Sequence, residues 1–214
     1  MSNTRDGAGV VRLLADAAAA FGLNLDDLQH ERLLRYADLV VKWGQLTNLT
    51  GARDVTAFTR EHIVDSLSIV PHVGRGSLLD VGSGAGLPGV VLAVVRPELA
   101  VTLLEPRQRR ARFLTQVRIE LALDNVEVRA QRIEALPLTA HYETIVSRAF
   151  ASLVAYVDVA WPHLAPGGRL LAMKGEVDAT DLAAAERRAG TATVSVLAVP
   201  GFRTRHLVAF SGPP

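Results

Sequence analysis

The chain has 214 residues, 49% of them hydrophobic, with 23 lysines and arginines against 22 aspartates and glutamates, a formal net charge of +1 and no cysteine. That length buries a core without covalent staples, and near-neutrality gives no general pull toward nucleic acid or membrane. The missing cysteine excludes disulfides, thiolate metal sites and cysteine nucleophiles, including the covalent route some methylases use on pyrimidine carbon. No apolar run reaches the ~18 residues of a membrane span, and Arg5, Asp6, Gly7 and Gly9 are not an apolar signal core, so a cytoplasmic protein is expected. Lys42 and Lys174 are the only lysines; arginine's planar fork suits phosphate, although an alanine- and arginine-rich composition accounts for most of the bias.

Residues 1–9 read as a disordered tail, 10–73 as a helical extension, and 74–214 as the core. Apolar residues recur at helical spacing over 10–21 and stop at Gly22. Asp26 or Asp27 then opens a longer helix with Leu28, Leu34, Leu39, Val40 and Trp43 on its apolar face. Both helices precede the first strand, so they pack on the core or over a ligand mouth. Thr47-Asn48-Leu49-Thr50-Gly51 is loop-like, and Asp54 caps a helix expected over 55–70. Within it Glu61, His62, Asp65 and Ser66 lie about one turn apart, with His62 and Ser66 on one face. Spacing alone leaves His62 between a structural and a functional role.

The organising stretch is 77–89, S-L-L-D-V-G-S-G-A-G-L-P-G. A short apolar strand ends in Gly82, Gly84, Gly86 and Gly89, and Pro88 introduces the apolar series 90–95. Strand, glycine turn and helix present a helix N-terminus to a bound molecule. Gly84 to Gly89 satisfies G-x-G-x-x-G, and a second strand over 101–104 ends at Glu105, about 20 residues on, where a ribose acceptor is needed. The combination predicts an adenosine-containing cofactor. Asp80, two residues before Gly82, would repel a pyrophosphate and suit the cationic S-adenosylmethionine, unless its carboxylate only bonds the loop amides.

A helix over 107–123 follows, carrying Arg107, Arg109, Arg110, Arg112 and Arg118 on a face that reads as solvated or phosphate-contacting. The third strand spans 125–130, with Gln131-Arg132-Ile133-Glu134 at its carboxyl end, where ligands of open α/β sheets collect. A fourth strand over 144–146 leads into Ser147-Arg148-Ala149-Phe150-Ala151-Ser152-Leu153, where the reacting atom of a substrate belongs. The Asn/Asp-Pro-Pro-aromatic string of exocyclic-amine methylases is absent there. A helix over 154–164, a strand over 169–173 ending at Lys174-Gly175, a helix over 178–189 and strands over 192–199 and 206–210 complete the chain. The last link is too short for a helical crossover, so the final pair is an antiparallel hairpin. The fold class is therefore α/β: a Rossmann-like class I S-adenosylmethionine-dependent methyltransferase, with a mostly parallel seven-stranded sheet, a C-terminal antiparallel strand and N-terminal helices. The six histidines lack metal-site spacing, and no metal is expected.

Over residues 33–210 the chain resembles the bacterial small-subunit ribosomal RNA methyltransferases called RsmG or GidB. The resemblance rests on Asn48-Leu49-Thr50, His62 to Leu67, the run 80–89, Ser147 to Leu153, Leu171 to Gly175 and Arg205-His206-Leu207-Val208, the Ser147 string being the most specific. It implies transfer of a methyl group from S-adenosylmethionine to N7 of a guanosine near the decoding centre of 16S rRNA, leaving S-adenosylhomocysteine, by a protein expected to be monomeric. Carried over, Gly82, Leu87, Ile133, Glu134 and Arg148 hold the cofactor. Asp80, Gly84, Gly86 and Glu105 join them from the loop reading and from position. Arg148 is the catalytic candidate, paired to Glu134 or Asp80 if its role is only to shape the pocket. Asn48, His62, Lys174, Arg203 and Arg205 are RNA-contact candidates, and Phe150 a base-stacking or core residue. Glu61 departs from the family, where a basic residue is frequent. The alternatives are a small NAD-dependent oxidoreductase, for which no tyrosine–lysine relay is evident, and a non-catalytic RNA-binding assembly factor.

Overall fold

The inner strands of the sheet are apolar on both faces, and the fold follows from the need to cover both. Leu78, Leu103, Val146 and Leu171 enter one buried cluster, while their chain neighbours Leu79, Leu104, Ile145 and Leu170 enter another on the opposite side. The computed structural model of the chain describes residues 4–47, 49–148 and 150–212. Among them, β1 (Ser77–Val81), β2 (Ala100–Leu104), β3 (Val126–Arg129), β4 (Tyr142–Arg148) and β5 (Leu164–Lys174) run parallel, and β7 (His206–Ser211) pairs antiparallel to β5 and to β6 (Thr193–Val196). The order is β3-β2-β1-β4-β5-β7-β6. The final pair is thus the antiparallel hairpin the short link demands. β1 lies between β2 and β4, so the chain changes winding direction there, and a crevice opens beyond the carboxyl ends of these strands.

One face is covered by α1 (Thr4–Ala20), α2 (Asp27–Thr47), α3 (Val55–Phe58), α4 (Val64–Leu67), α5 (Gly89–Val95) and α6 (Gln108–Glu120). The other carries α7 (Leu153–Ala160) and α8 (Ala179–Ala189). Leu14, Leu33, Tyr36 and Phe58 of the N-terminal helices share one cluster with Val90, Leu103 and Phe113, so these helices pack on the core.

Several boundaries differ from the sequence reading; β5, for one, starts at Leu164 and not at Arg169, and the helix before it ends at Ala160 and not at Leu164. The first helix starts at Thr4, so residues 4–9 belong to it and not to a tail; apolar spacing marks where packing begins, at Val10, not where the hydrogen-bonded ladder begins. The fourth strand extends to Arg148 instead of ending at Val146, since Ser147 pairs with Ala172 and Arg148 with Met173. The single helix expected over 55–70 is interrupted by a π-turn, Thr59–Ile63, in which the Val64 amide reaches back to the Thr59 carbonyl. That widened turn adds a residue to the ladder at His62, and such insertions recur at functional sites.

Candidate active site

The glycine loop closes on itself. The Gly82 and Ser83 amides donate to the Leu104 carbonyl at 2.8 and 3.1 Å, and those of Gly86 and Leu87 to the Ser83 carbonyl at 2.7 and 3.1 Å. The Gly84 amide donates to Glu105 Oε2 and the Gly89 amide to Asp80 Oδ2, both at 3.0 Å. A dinucleotide loop keeps such amides for pyrophosphate. Here two of them are taken by carboxylates, which leaves no anion cradle and argues against NAD. The helix N-terminus expected to face a ligand is likewise capped by Asp80.

Asp80 itself is fully buried and braces the loop from within through the Gly89 amide, the loop contact that was one of the two roles left open for it. Burial pushes its carboxyl up to about 7, against the opposing pull of the Gly89 amide and the Arg148 charge. Its Oδ1 has no hydrogen-bond partner. The loop is braced from the other side by Tyr36 of α2, whose buried hydroxyl donates to the Ala85 carbonyl at 2.8 Å.

Two glycines in the loop serve different ends. Gly86 has φ +102° and its missing Cβ would lie 2.5 Å from Val90 and 3.0 Å from Leu114, so packing requires it. Gly82 has φ +72° and nothing within 4 Å of its missing Cβ, which leaves the backbone open to approach. Leu87 is buried in the core cluster.

Beside Gly82 lies a cavity of about 130 Å³ whose wall includes Leu104, Ile133, Glu134 and Phe150. Glu105, 3% exposed, stands at the end of β2 with Oε1 accepting from the Arg107 amide at 2.8 Å. Each of its oxygens retains a second lone pair for a ribose hydroxyl. Open backbone at Gly82, an apolar floor at Ile133 and carboxylates at Glu105 and Glu134 fit an uncharged adenosine carrying a cationic sulfonium.

A second cavity, about 480 Å³, shares Phe150 with the first and is lined by His62, Asp65, Arg148, Lys174 and Arg205, with Glu61 also on its wall. Arg148 donates from Nη1 to Asp65 Oδ2 at 3.4 Å, so its acidic partner is Asp65 and neither Glu134 nor Asp80. The same nitrogen lies 3.4 Å from His62 Nδ1. A guanidinium only donates, so Nδ1 is the acceptor and the imidazole hydrogen sits on Nε2. Burial, and then the Arg148 charge, lower the His62 pKa and keep the ring neutral. Ser66, on the same helical face, bonds the His62 carbonyl and not the ring. Lys174 donates to the carbonyls of Phe150 and Ala151 at 2.8 and 3.4 Å, tying β5 to the segment after β4.

Of the RNA-contact candidates, His62, Lys174 and Arg205 meet here; Arg203 is exposed and off the cavity wall, and Asn48 lies outside the described residues. The sequence reading missed Asp65, Tyr36 and Asp181, whose carboxylate takes the Ser152 hydroxyl and the Leu153 and Val154 amides at the head of α7. Asp65 stands three residues after His62, and that helical spacing was the available signal. Tyr36 and Asp181 act across 49 and 28 residues of chain and leave no local trace. Among the described residues no group of three or more His, Asp or Glu is placed to hold a metal ion, and no helix is long and apolar enough to cross a membrane.

Comparison with known proteins agrees with this geometry. The chain is similar in structure to a methyltransferase from Pyrococcus furiosus, with TM-score 0.57 and 16% identity over 86% of this chain and 99% of that one, a likeness of fold. It is 42% identical to the ribosomal RNA small subunit methyltransferase G of Nitrosospira multiformis, over 91% of this chain and 94% of that protein. With the protein of the same name from Methylobacillus flagellatus the identity is 44%, over 87% and 91%. The family model described as rRNA small subunit methyltransferase G matches residues 29–208, and the chain belongs to that family, GidB.

Proposed function

We propose that the chain transfers a methyl group from S-adenosylmethionine to N7 of one guanosine of 16S rRNA near the decoding centre, acting as a cytoplasmic monomer on the small ribosomal subunit. The observation that carries this reading is the second cavity: two arginines and a lysine, backed by one buried carboxylate, beside a glycine loop that has no anion cradle. The names of the relatives supply the RNA.

When bound, S-adenosylmethionine supplies a methyl carbon made electrophilic by its sulfonium. Gly82, Ile133, Glu134 and Glu105 would hold the donor, Glu105 by accepting from ribose hydroxyls, and Phe150, on the wall of both cavities, would stand where donor and base meet. Guanine N7 carries no proton, so no general base is required. The residues fit that requirement: Asp65 is engaged by two arginines and His62 Nδ1 faces Arg148, which leaves neither as a free base. The N7 and O6 acceptors of guanine match guanidinium donors from Arg148 and Arg205. Catalysis then comes from holding nucleophile and methyl carbon in line.

Ribosomal RNA from cells lacking the protein should lose one N7-methylguanosine, mapped by mass spectrometry; an unchanged map would refute the substrate. Calorimetry should give binding of S-adenosylhomocysteine and none of NAD. Donor binding without methyl transfer to any ribosomal RNA would instead favour the assembly factor.

A further inference from the structure

Asp65 is 4% exposed in its side chain and lies one turn beyond His62, in α4. Its Oδ1 accepts from Arg205 Nε at 2.9 Å and its Oδ2 from Arg148 Nη1 at 3.4 Å. The two arginines come from the end of β4 and from the hairpin link before β7, and Asp65 joins them. The backbone of Asp65 lies within α4, where its carbonyl takes the Ser68 hydroxyl at 2.6 Å. Arg205 is also held in plane, its guanidinium lying 4.1 Å from the centre of the Phe202 ring. Two guanidinium groups against one carboxylate leave positive charge in excess within this cluster, although Lys174, Glu61 and Glu176 balance the cavity wall as a whole, and the remaining N–H groups of the two arginines are uncommitted to Asp65.

Resting on the reading that a guanine enters this cavity, the geometry points to Asp65 as its positioning residue: one carboxylate holds Arg148 and Arg205 together so that both present donors to the acceptor edge of the base. Asp65 does not touch the base. It suppresses the repulsion that would otherwise drive two guanidinium groups apart, and it fixes the plane of each fork. The segment that supplies it follows the π-turn directly.

The test is a double-mutant cycle on purified protein with small subunits lacking the methyl group. Asp65→Asn should lower kcat/KM for subunits about 30-fold, while KM for S-adenosylmethionine and affinity for S-adenosylhomocysteine stay within about twofold. Arg205→Ala alone should cost about as much, and in the Asp65→Asn background less than about twofold more, because the ordered fork is already lost. The Arg205 Nε–H resonance, slow to exchange in the wild type, should be lost to exchange in Asp65→Asn. Arg205→Lys keeps the charge without an Nε–H in the fork, and should behave as Arg205→Ala; it carries the test if Asp65→Asn does not fold. Wild-type rates in Asp65→Asn or Arg205→Lys, or strictly additive losses, would overturn this inference alone. Wild-type protein that methylates no guanine overturns the functional reading, and the role of Asp65 with it.

Discussion

The two halves of the site are made of different material. The donor side is backbone: loop amides satisfied by nearby carbonyls and by two carboxylates, over a strand and helix with no exposed core. The base side is made of side chains drawn together from distant segments, Asp65 reaching Arg148 across 83 residues and Arg205 across 140. A backbone site tolerates change only where a side chain fits, whereas a side-chain site keeps its fold when one member is removed and loses its chemistry instead. Each half can therefore be broken in its own way.

The largest effect belongs to Arg148, which lines the larger cavity and is paired there to Asp65. Arg148→Ala should reduce kcat/KM for methyl transfer by about 10²–10³-fold, the scale of removing one member of a largely buried charge pair, with the melting temperature little changed because Asp65 keeps Arg205. Wild-type turnover by that variant removes Arg148 from the site.

Next come the two loop glycines, whose substitutions should diverge. Gly86→Ala forces a Cβ against Val90 and Leu114 at a left-handed φ, and should cost about 2–4 kcal/mol in chemical denaturation. Gly82→Ala meets open space, and should cost about 1 kcal/mol in stability yet about tenfold in S-adenosylhomocysteine affinity by calorimetry. Equal effects on stability and binding at both positions would erase the distinction between packing glycine and ligand-facing glycine.

Tyr36→Phe removes a buried donor and leaves the Ala85 carbonyl without it, for about 1–3 kcal/mol. Because that bond braces the donor side alone, KM for S-adenosylmethionine should rise while KM for subunits stays put.

The effects of pH take opposite signs on the two sides. Asp80 holds its proton up to about 7 in the folded chain against an ordinary 3.8, so folded protein binds more protons than unfolded protein between those values. Stability should fall as pH rises from about 4 to about 7, and Asp80→Asn should flatten that slope in urea titrations. His62 is shifted the other way, below its ordinary value, by burial and by Arg148. Its unfolded form takes a proton first as pH falls, so stability is lost through and below the ordinary imidazole range. Methyl transfer should persist to a lower pH than an unperturbed histidine permits, then fail as imidazolium forms against Arg148.

The same division decides what was legible before folding. The Gly82–Gly89 turn, Glu105 and the final antiparallel pair are local consequences of strand, glycine and link length, and the structure has them where spacing put them. The role of Asp80 was legible only as two alternatives, because a carboxylate beside a glycine loop can face a ligand or the loop's own amides; the bond to the Gly89 amide needed the folded loop to be seen. Asp65 was visible as a polar residue near His62, but its partners lie in β4 and the last hairpin and depend on the complete sheet order. Tyr36 had no signal at all: a tyrosine on an apolar helix face looks like core until the loop it meets is placed.

The central claim is that a phosphate-free donor pocket and a guanidinium-lined base pocket serve one reaction. Purified protein should be incubated with methyl-labelled S-adenosylmethionine and unmethylated small subunits, and the digested RNA resolved by mass spectrometry. The account predicts about one labelled N7-methylguanosine per subunit, with NAD neither supporting nor inhibiting the transfer. Label on any other atom, or none despite bound donor, contradicts it.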